Sequence, residues 1–139
     1  MFGIRELGES EAKKIPVRLL AHLGDAVFNL YEREREILKA KTANQMHNKV
    51  LARVKATAQA ELLDAIAIDL THWEAEIVRR ARNLRPSGYR KTSQGTYRKA
   101  TAFEALIGYL YLTNKLRLNE LLKGTVSKDM VDLPAPDNP

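Results

Sequence analysis

The sequence predicts an all-α protein that folds as one helical bundle. Apolar residues recur every three or four positions along most of the 139 residues, and no strictly alternating run is long enough to suggest a β-strand. Two pairs with capping-box spacing, Thr42 with Gln45 and Thr71 with Glu74, mark helix starts. A chain of this length is about the size of one domain and buries roughly 70% of its unfolded surface in a single core.

The composition excludes several classes of protein. Without cysteine, the chain has neither disulfides nor thiolate metal sites. No apolar run approaches the ~20 residues that cross a bilayer, and the opening MFGIRELGESEAKK lacks the apolar centre of a signal peptide. We therefore expect a cytoplasmic protein that does not associate with membranes.

The first long helix is predicted to begin at Pro16 and to run to about Lys39. It follows an N-terminal segment, residues 1–15, that we expect to be loosely ordered. Proline suits the first turn of a helix because its missing N–H would have no partner there. The segment REREILK supplies a charged outer face. The inner stripe is formed by Val17, Leu20, Ala21, Gly24, Val27, Phe28 and Tyr31.

Five more helices complete the predicted domain, residues 16–124. One starts after Thr42 and has Met46, Val50 and Val54 on its inner face. AQAELLDAIAIDL forms the next, and another runs from Thr71 through Arg82. The loop NLRPSGYRKTSQG then precedes TYRKATAFEALIGYLYLT, the most apolar helix of the chain. A short last helix, KLRLNELLK, stops at Gly124, and residues 125–139 form a tail.

Positive charge is concentrated in one region. The net charge is +6, but eight lysines and arginines and no acid lie between residues 79 and 99, whereas the rest of the chain has 15 basic and 17 acidic residues. Such a local concentration favours a site for a polyanion. The alternative is a basic loop that is merely solvated.

Two acids stand in apolar surroundings. Asp25 borders the inner stripe of the first long helix, and Glu104 lies inside the run FEALIGYLYL. Burying an unpaired carboxylate costs several kcal/mol, so we expect a salt bridge to Arg18 or Arg98, protonation, or a bound cation.

Glycines next to both acids suggest that the two helices approach closely at this level. Gly24 precedes Asp25, and Gly108 lies one turn beyond Glu104. Two carboxylates brought together repel, which raises a pKa unless a divalent cation lies between them. Oxygen ligands in a chain without cysteine favour Mg²⁺ or Mn²⁺ over zinc.

A carboxylate-bound Mg²⁺ beside a basic loop has the chemistry for phosphodiester hydrolysis. The residues therefore favour a nuclease. One alternative is a non-catalytic helical RNA-binding or RNA-chaperone module, and another is an interaction scaffold whose acids form ion pairs. The acid pair favours the enzyme, because a binding module gains nothing from two close carboxylates that repel RNA phosphates.

Several motifs resemble the ribonuclease III family. LGDAVFNLY and FEALIGYLYL are similar to the two signature blocks of its catalytic domain. NQMHNKVLARVKATAQA, IVRRARNLRPSG and TYRKATAFEALIGYLYL resemble the Mini-ribonuclease III group, short bacterial relatives without a double-stranded-RNA-binding domain. The likeness covers roughly residues 16 to 123.

The resemblance implies an all-helical ribonuclease III-type endonuclease domain that works as a homodimer and cuts double-stranded RNA with Mg²⁺, for which Mn²⁺ can substitute. Ribosomal RNA precursors are the first substrate it suggests. Asp25 and Glu104 match the family's catalytic, metal-holding acids. Where larger members of the family carry further acids one turn earlier, this chain has Ala21 and Thr101, as the Mini-ribonuclease III group does.

Without a separate RNA-binding domain, the basic stretch becomes the expected RNA contact, because A-form RNA is recognised through phosphates, 2′-hydroxyls and shape. His22 and His47 are weaker candidates for the site and for a substrate contact. The predicted RNA-binding residues are Arg79, Arg80, Arg82, Arg85, Arg90, Lys91 and Lys49.

Overall fold

The computed structural model describes residues 5–84 and 94–129, with side chains described as far as residue 124. Within these ranges the chain is helical and has no strand, which confirms the predicted fold class. A 3₁₀ turn, Ala67–Asp69, follows the fourth helix. The helices are α1 (Glu9–Lys13), α2 (Val17–Ile37), α3 (Ala43–Val54), α4 (Ala56–Ile66), α5 (His72–Arg82), α6 (Gln94–Thr113) and α7 (Lys115–Asp129).

Helix α6 is the centre of the bundle. From residue 100 to residue 112 nearly every side chain is buried, and α2, α4 and α5 pack around it. A helix that is apolar on all sides can only be stable when other helices surround it. Phe28 of α2 meets Phe103 of α6 edge to face, with ring centroids 5.0 Å apart. The apolar segment GYLYL is thus covered mainly by the chain's own helices.

The predicted close approach of α2 and α6 is confirmed. A Cβ atom added to Gly24 would overlap the backbone carbonyl oxygen of Glu104 and would lie 2.8 Å from the backbone nitrogen of Gly108. A Cβ atom on Gly108 would in turn overlap the carbonyl oxygen of Leu20. Only glycine permits backbones to meet at this distance.

Helix α2 differs from its predicted pattern at its C-terminal end. The segment REREILK was expected to form an outer face, but Glu36 is 1% exposed, as is Glu32 one turn earlier. Arg53 of α3 donates to Glu36 at 2.6 Å and to Glu32 at 3.2 Å. The two acids are buried because two guanidinium groups neutralise them, that of Arg53 from α3 and that of Arg35, which pairs with Glu32 at 2.9 Å.

Helices α5 and α7 are joined by another buried acid. Glu74 closes the predicted capping box with Thr71, and the Thr71 N–H donates to its side chain at 2.9 Å. Arg117 of α7 donates to both carboxylate oxygens of Glu74 at 2.9 Å. Glu74 therefore both caps α5 and holds α7 in place through Arg117.

Both ends of the described chain differ from expectation. Instead of a loosely ordered start, residues 9–13 form α1, where Ala12 is fully buried, and the N–H of Leu7 donates to the carbonyl of Leu112 at 2.7 Å. Helix α1 forms an extra layer by packing against the apolar surface of α6. Helix α7 continues past Gly124 to Asp129, and residues 130–139 lie outside the described residues. No described helix is long and apolar enough to cross a membrane.

Replacing Gly24 by Ala is expected to destabilise the protein strongly, because the new methyl group meets backbone rather than a movable side chain. Overpacking of this kind costs typically about 1–3 kcal/mol and more where the backbone must shift. Urea unfolding followed by circular dichroism measures the loss. Gly124→Ala is the matched control, because a Cβ there meets nothing within 4 Å. Equal stability of the two variants would contradict the close crossing.

Candidate active site

The crossing of α2 and α6 brings the two predicted acids together. Asp25 and Glu104 line one open cavity of about 230 Å³, and the carboxyl group of Asp25 lies near enough to raise the pKa of Glu104. Asp25 is exposed, whereas Glu104 is partly buried. The other residues of the wall are Arg18, Ala21, His22, Tyr97 and Thr101.

Helical spacing explains the composition of this cavity. Arg18 lies two turns before Asp25 on α2, so both project to the same side of the helix. Tyr97 and Thr101 lie two turns and one turn before Glu104 on α6. The sequence prediction did not include Tyr97, although its spacing from Glu104 was a usable signal. His22, a weaker candidate, does line the site.

The pKa of Glu104 is raised to about 8. Burial is the largest cause, since the surrounding helices remove water from the carboxylate. The hydrogen bond and the negative charge of Asp25 raise this pKa further, while a hydrogen bond from Gln59 lowers it. A raised pKa favours the protonated form of Glu104 whenever no cation compensates its charge.

Two amide side chains orient the acids. Gln59 of α4 is 2% exposed, donates its Nε2 to the carbonyl of Val54 at 3.0 Å, and also contacts Glu104. Asn29 of α2 donates to the backbone carbonyl of Asp25 at 2.8 Å and to its Oδ1 at 3.2 Å. Neither was predicted. The sequence did contain a signal for the role of Gln59: it is a polar residue one turn before an apolar leucine on the same face of α4.

The donor set of the cavity fits a hard divalent cation. Besides the two carboxylates, the wall contains the hydroxyl groups of Thr101 and Tyr97. All four groups offer oxygen atoms as metal ligands. Ala21 and Thr101 line the same cavity. Among the described residues no group of three or more His, Cys, Asp or Glu that could hold a metal is found, in this cavity or elsewhere.

The predicted RNA-binding residues are spread over the surface. Arg79 and Arg82 line a second cavity, formed at the end of α5 and the start of α6. Arg80 is half-buried and donates to the carbonyl of Lys13 at 3.2 Å. Lys49 and His47 are exposed on α3 and do not line the acid cavity. Three predicted contacts lie outside the described residues: Arg85, Arg90 and Lys91.

Comparison with known proteins agrees with this geometry. The family model of the Ribonuclease III domain matches residues 18–115, which include both acids. The chain belongs to the ribonuclease III family. The matched range runs from the start of α2 to the start of α7, and so contains the whole α2–α6 crossing.

Relatives place the chain in the Mini-ribonuclease 3 group. It is 41% identical over 121 residues to Mini-ribonuclease 3 of Synechococcus, a match that covers 87% of this chain and 88% of the relative. It is 40% identical to that of Streptococcus pneumoniae, over 78% and 89% of the two chains. A solved protein from Fusobacterium nucleatum superposes with a TM-score of 0.77 at 27% identity, covering 84% and 96% of the two chains.

The raised pKa of Glu104 predicts how stability changes with pH in the absence of metal. Folded protein holds a proton on Glu104 that the unfolded chain releases near pH 4.5, so the free energy of unfolding should fall as the pH rises from about 4.5 to about 8. A loss of up to a few kcal/mol is expected. Urea unfolding in EDTA at several pH values measures it. Glu104→Gln should remove this loss, and an unchanged pH profile in that variant would contradict the assignment.

Proposed function

We propose that this double-strand-specific endoribonuclease cleaves RNA with a Mg²⁺ ion held by Asp25 and Glu104, and that Mn²⁺ can substitute. The observation that carries the proposal is that the carboxyl groups of Asp25 and Glu104 line one cavity at the α2–α6 crossing. A divalent cation held by both groups would take the place of the proton on Glu104, because it would compensate both negative charges. The oxygen-rich wall of the cavity supports the same choice of metal.

The bound cation would supply a nucleophilic water and stabilise charge on the phosphate and the leaving oxygen. The chain's own residues do the rest. Asn29 and Gln59 hold the carboxylates in place through their amide groups. Arg18 and Tyr97 stand in the wall of the cavity, where a guanidinium and a phenol hydroxyl can donate hydrogen bonds to phosphate oxygens.

Asp25→Asn and Glu104→Gln should each abolish cleavage of a long RNA duplex while the helical fold and duplex binding survive. Each change keeps the shape of the side chain and removes the charge that holds the cation. A gel assay with Mg²⁺ and with EDTA measures cleavage, and calorimetry with Mn²⁺ measures metal binding directly. Glu61→Gln, an exposed acid on α4 outside the cavity, is the control and should stay active.

Cleavage at a comparable rate by either cavity variant would show that the metal site lies elsewhere. If the parent protein binds duplexes but never cuts them with Mg²⁺ or Mn²⁺, the alternative of an RNA-binding or RNA-chaperone module takes the place of the enzyme. The two outcomes can be told apart: active cavity variants would contradict only the position of the metal site, whereas an inactive parent would contradict the enzymatic activity itself.

We propose further that the enzyme is a homodimer. A duplex has two strands, and each chain offers one Asp25 and one Glu104, so a symmetric pair supplies one site for each strand. The outer face of α2 supports this assembly with an apolar stripe at helical spacing. Its members are Leu19, Leu23, Ala26, Leu30 and Ile37, of which Leu19, Leu30 and Ile37 are 59%, 42% and 60% exposed.

An apolar cavity of about 150 Å³ lies beside this stripe. Val27, Leu30 and Tyr31 of α2 form one side, and Leu118 and Leu122 of α7 form the other. An apolar side chain of a second copy fits such a surface, whereas a polar RNA backbone does not.

Light scattering should give about twice the chain mass of 15.7 kDa for the parent protein. Leu30→Arg should shift the mass toward that of a single chain, because a charge is placed in the apolar stripe. Leu38→Arg is the matched control: Leu38 follows α2 off the stripe and is already 95% exposed, so the dimer should persist. A parent that stays monomeric and still makes paired cuts would contradict the proposal.

For the biological substrate we propose structured precursors of ribosomal RNA in the cytoplasm. The acid cavity is open on one side, which suits a substrate presented as a regular duplex. Mapping RNA ends in cells that lack the protein tests the proposal. We expect unprocessed ribosomal RNA ends to accumulate. Unchanged ribosomal ends together with altered ends of another RNA would contradict the proposal and identify that other RNA as the substrate.

A further inference from the structure

The wall of the acid cavity includes one side chain with a permanent positive charge, that of Arg18. Within the described part of the chain, the rest of this wall consists of the two acids, His22 and three uncharged residues. A guanidinium is always charged in proteins, whereas an imidazole gains and loses its charge. Arg18 is therefore the fixed cation of the cavity.

Helix geometry places Arg18 and Asp25 on the same side of α2. Seven residues turn a helix by about 700°, so the directions of the two side chains differ by only ~20°. They are separated by about 10 Å along the helix axis. Ala21 lies on the turn between them and is buried, and its methyl group leaves the space above that turn open. Arg18 and Asp25 thus border one gap from its two ends.

This gap is large enough for the group that reacts. The cavity measures about 230 Å³, and a water molecule takes up ~30 Å³ in the liquid, so the space corresponds to roughly seven waters. A phosphate group and a hydrated cation fit into such a volume. A phosphate above Ala21 would have the guanidinium of Arg18 on one side and the acid pair on the other.

Hydrolysis of a phosphodiester places additional negative charge on the phosphate oxygens in its transition state. A water oxygen bonds to phosphorus while the bond from phosphorus to one ester oxygen breaks. One proton of the water ends on that leaving oxygen, and the other passes to solvent. The charge of a divalent cation is already offset by the carboxylates of Asp25 and Glu104. The charge that develops in the transition state therefore calls for a further cation in the cavity.

We propose that Arg18 is a catalytic residue, which donates hydrogen bonds to the non-bridging oxygens of the phosphate being cut and stabilises the transition state. The planar fork of a guanidinium matches two oxygens of one phosphate, whereas the phenol of Tyr97 offers a single uncharged donor. Arg18 transfers no proton, because a guanidinium keeps its own. The inference rests on the proposed function, because it assumes that the RNA is cut beside Asp25 and Glu104.

Single-turnover cleavage of an RNA duplex by saturating full-length protein with Mg²⁺ tests this role. Arg18→Ala should lower the rate about a hundredfold or more, the usual effect of removing one donor to a developing negative charge. Arg18→Lys keeps the charge without the fork and should retain more of the rate. Lys123→Ala, at an exposed cation of α7 outside the cavity, is the charge-matched control and should cut at the parent's rate.

Free guanidinium ion should replace the lost group. The acid cavity is open, so the ion can enter the space that Arg18→Ala leaves. Millimolar guanidinium chloride should raise the cleavage rate of Arg18→Ala severalfold and leave that of Lys123→Ala unchanged. The same concentration of sodium chloride should raise neither rate.

Two binding measurements separate catalysis from a structural role. Duplex affinity in EDTA should change less than about threefold in Arg18→Ala, because an interaction made in the transition state affects the rate more than substrate binding. Calorimetry should show a roughly two- to fivefold higher affinity for Mn²⁺, because a positive charge near the acid pair is removed. Loss of the cavity's structure would lower the Mn²⁺ affinity instead and contradict the catalytic role.

An Arg18→Ala variant that cuts as fast as Lys123→Ala would overturn the inference, and so would an unchanged saturated rate beside weakened duplex binding. Circular dichroism checks the fold. Should Arg18→Ala fail to fold, a folded Arg18→Lys that cuts at the parent's rate would overturn it as well. An active parent with an unaffected Arg18→Ala variant contradicts this inference alone, whereas a parent that never cuts contradicts the proposed function and this inference with it.

Discussion

The backbone contact between α2 and α6 determines both the core and the candidate site. Gly24 and Gly108 let the two helices meet without intervening side chains, and the residues next to this contact are the acids of the cavity. A side chain at either glycine would separate the helices and with them the carboxyl groups of Asp25 and Glu104. The relative position of the two acids is therefore set by the packing of the two longest helices.

This arrangement places an unfavourable group at the centre of the fold. Glu104 lies on a helix that is buried on nearly all sides, and its raised pKa shows that the surroundings disfavour its charge. The acids at the ends of the bundle have a different environment: Glu36 and Glu74 each receive a guanidinium, and the pKa of each is lowered. The contrast identifies the α2–α6 crossing as the place where the fold holds an acid that no guanidinium of the described residues neutralises, and strongly shifted pKa values of this kind are typical of functional sites.

Much of the fold follows from local sequence signals. Capping boxes, helical periodicity and Pro16 predict the long helices to within a few residues, and the pairing of each acid with a glycine predicts the crossing. Features that depend on a partner distant in sequence are not predictable in this way. Glu36 has the pattern of a surface residue until α3 brings Arg53 to it, and Gln59 gains its role only because α4 lies against Glu104. The first residues were expected to be loosely ordered because α1 is too short to show periodicity.

The charge distribution along α6 connects the two cavities. Two close carboxylates repel the phosphates of an approaching RNA, so a site built from Asp25 and Glu104 needs positive charge nearby to bind its substrate at all. Eight cations lie between residues 79 and 99 of the sequence, and they end where the apolar half of α6 begins. Arg98 and Glu104 thus belong to one rigid helix, in which a basic segment precedes the acid. The distance between this basic segment and Glu104 is then fixed by helix geometry.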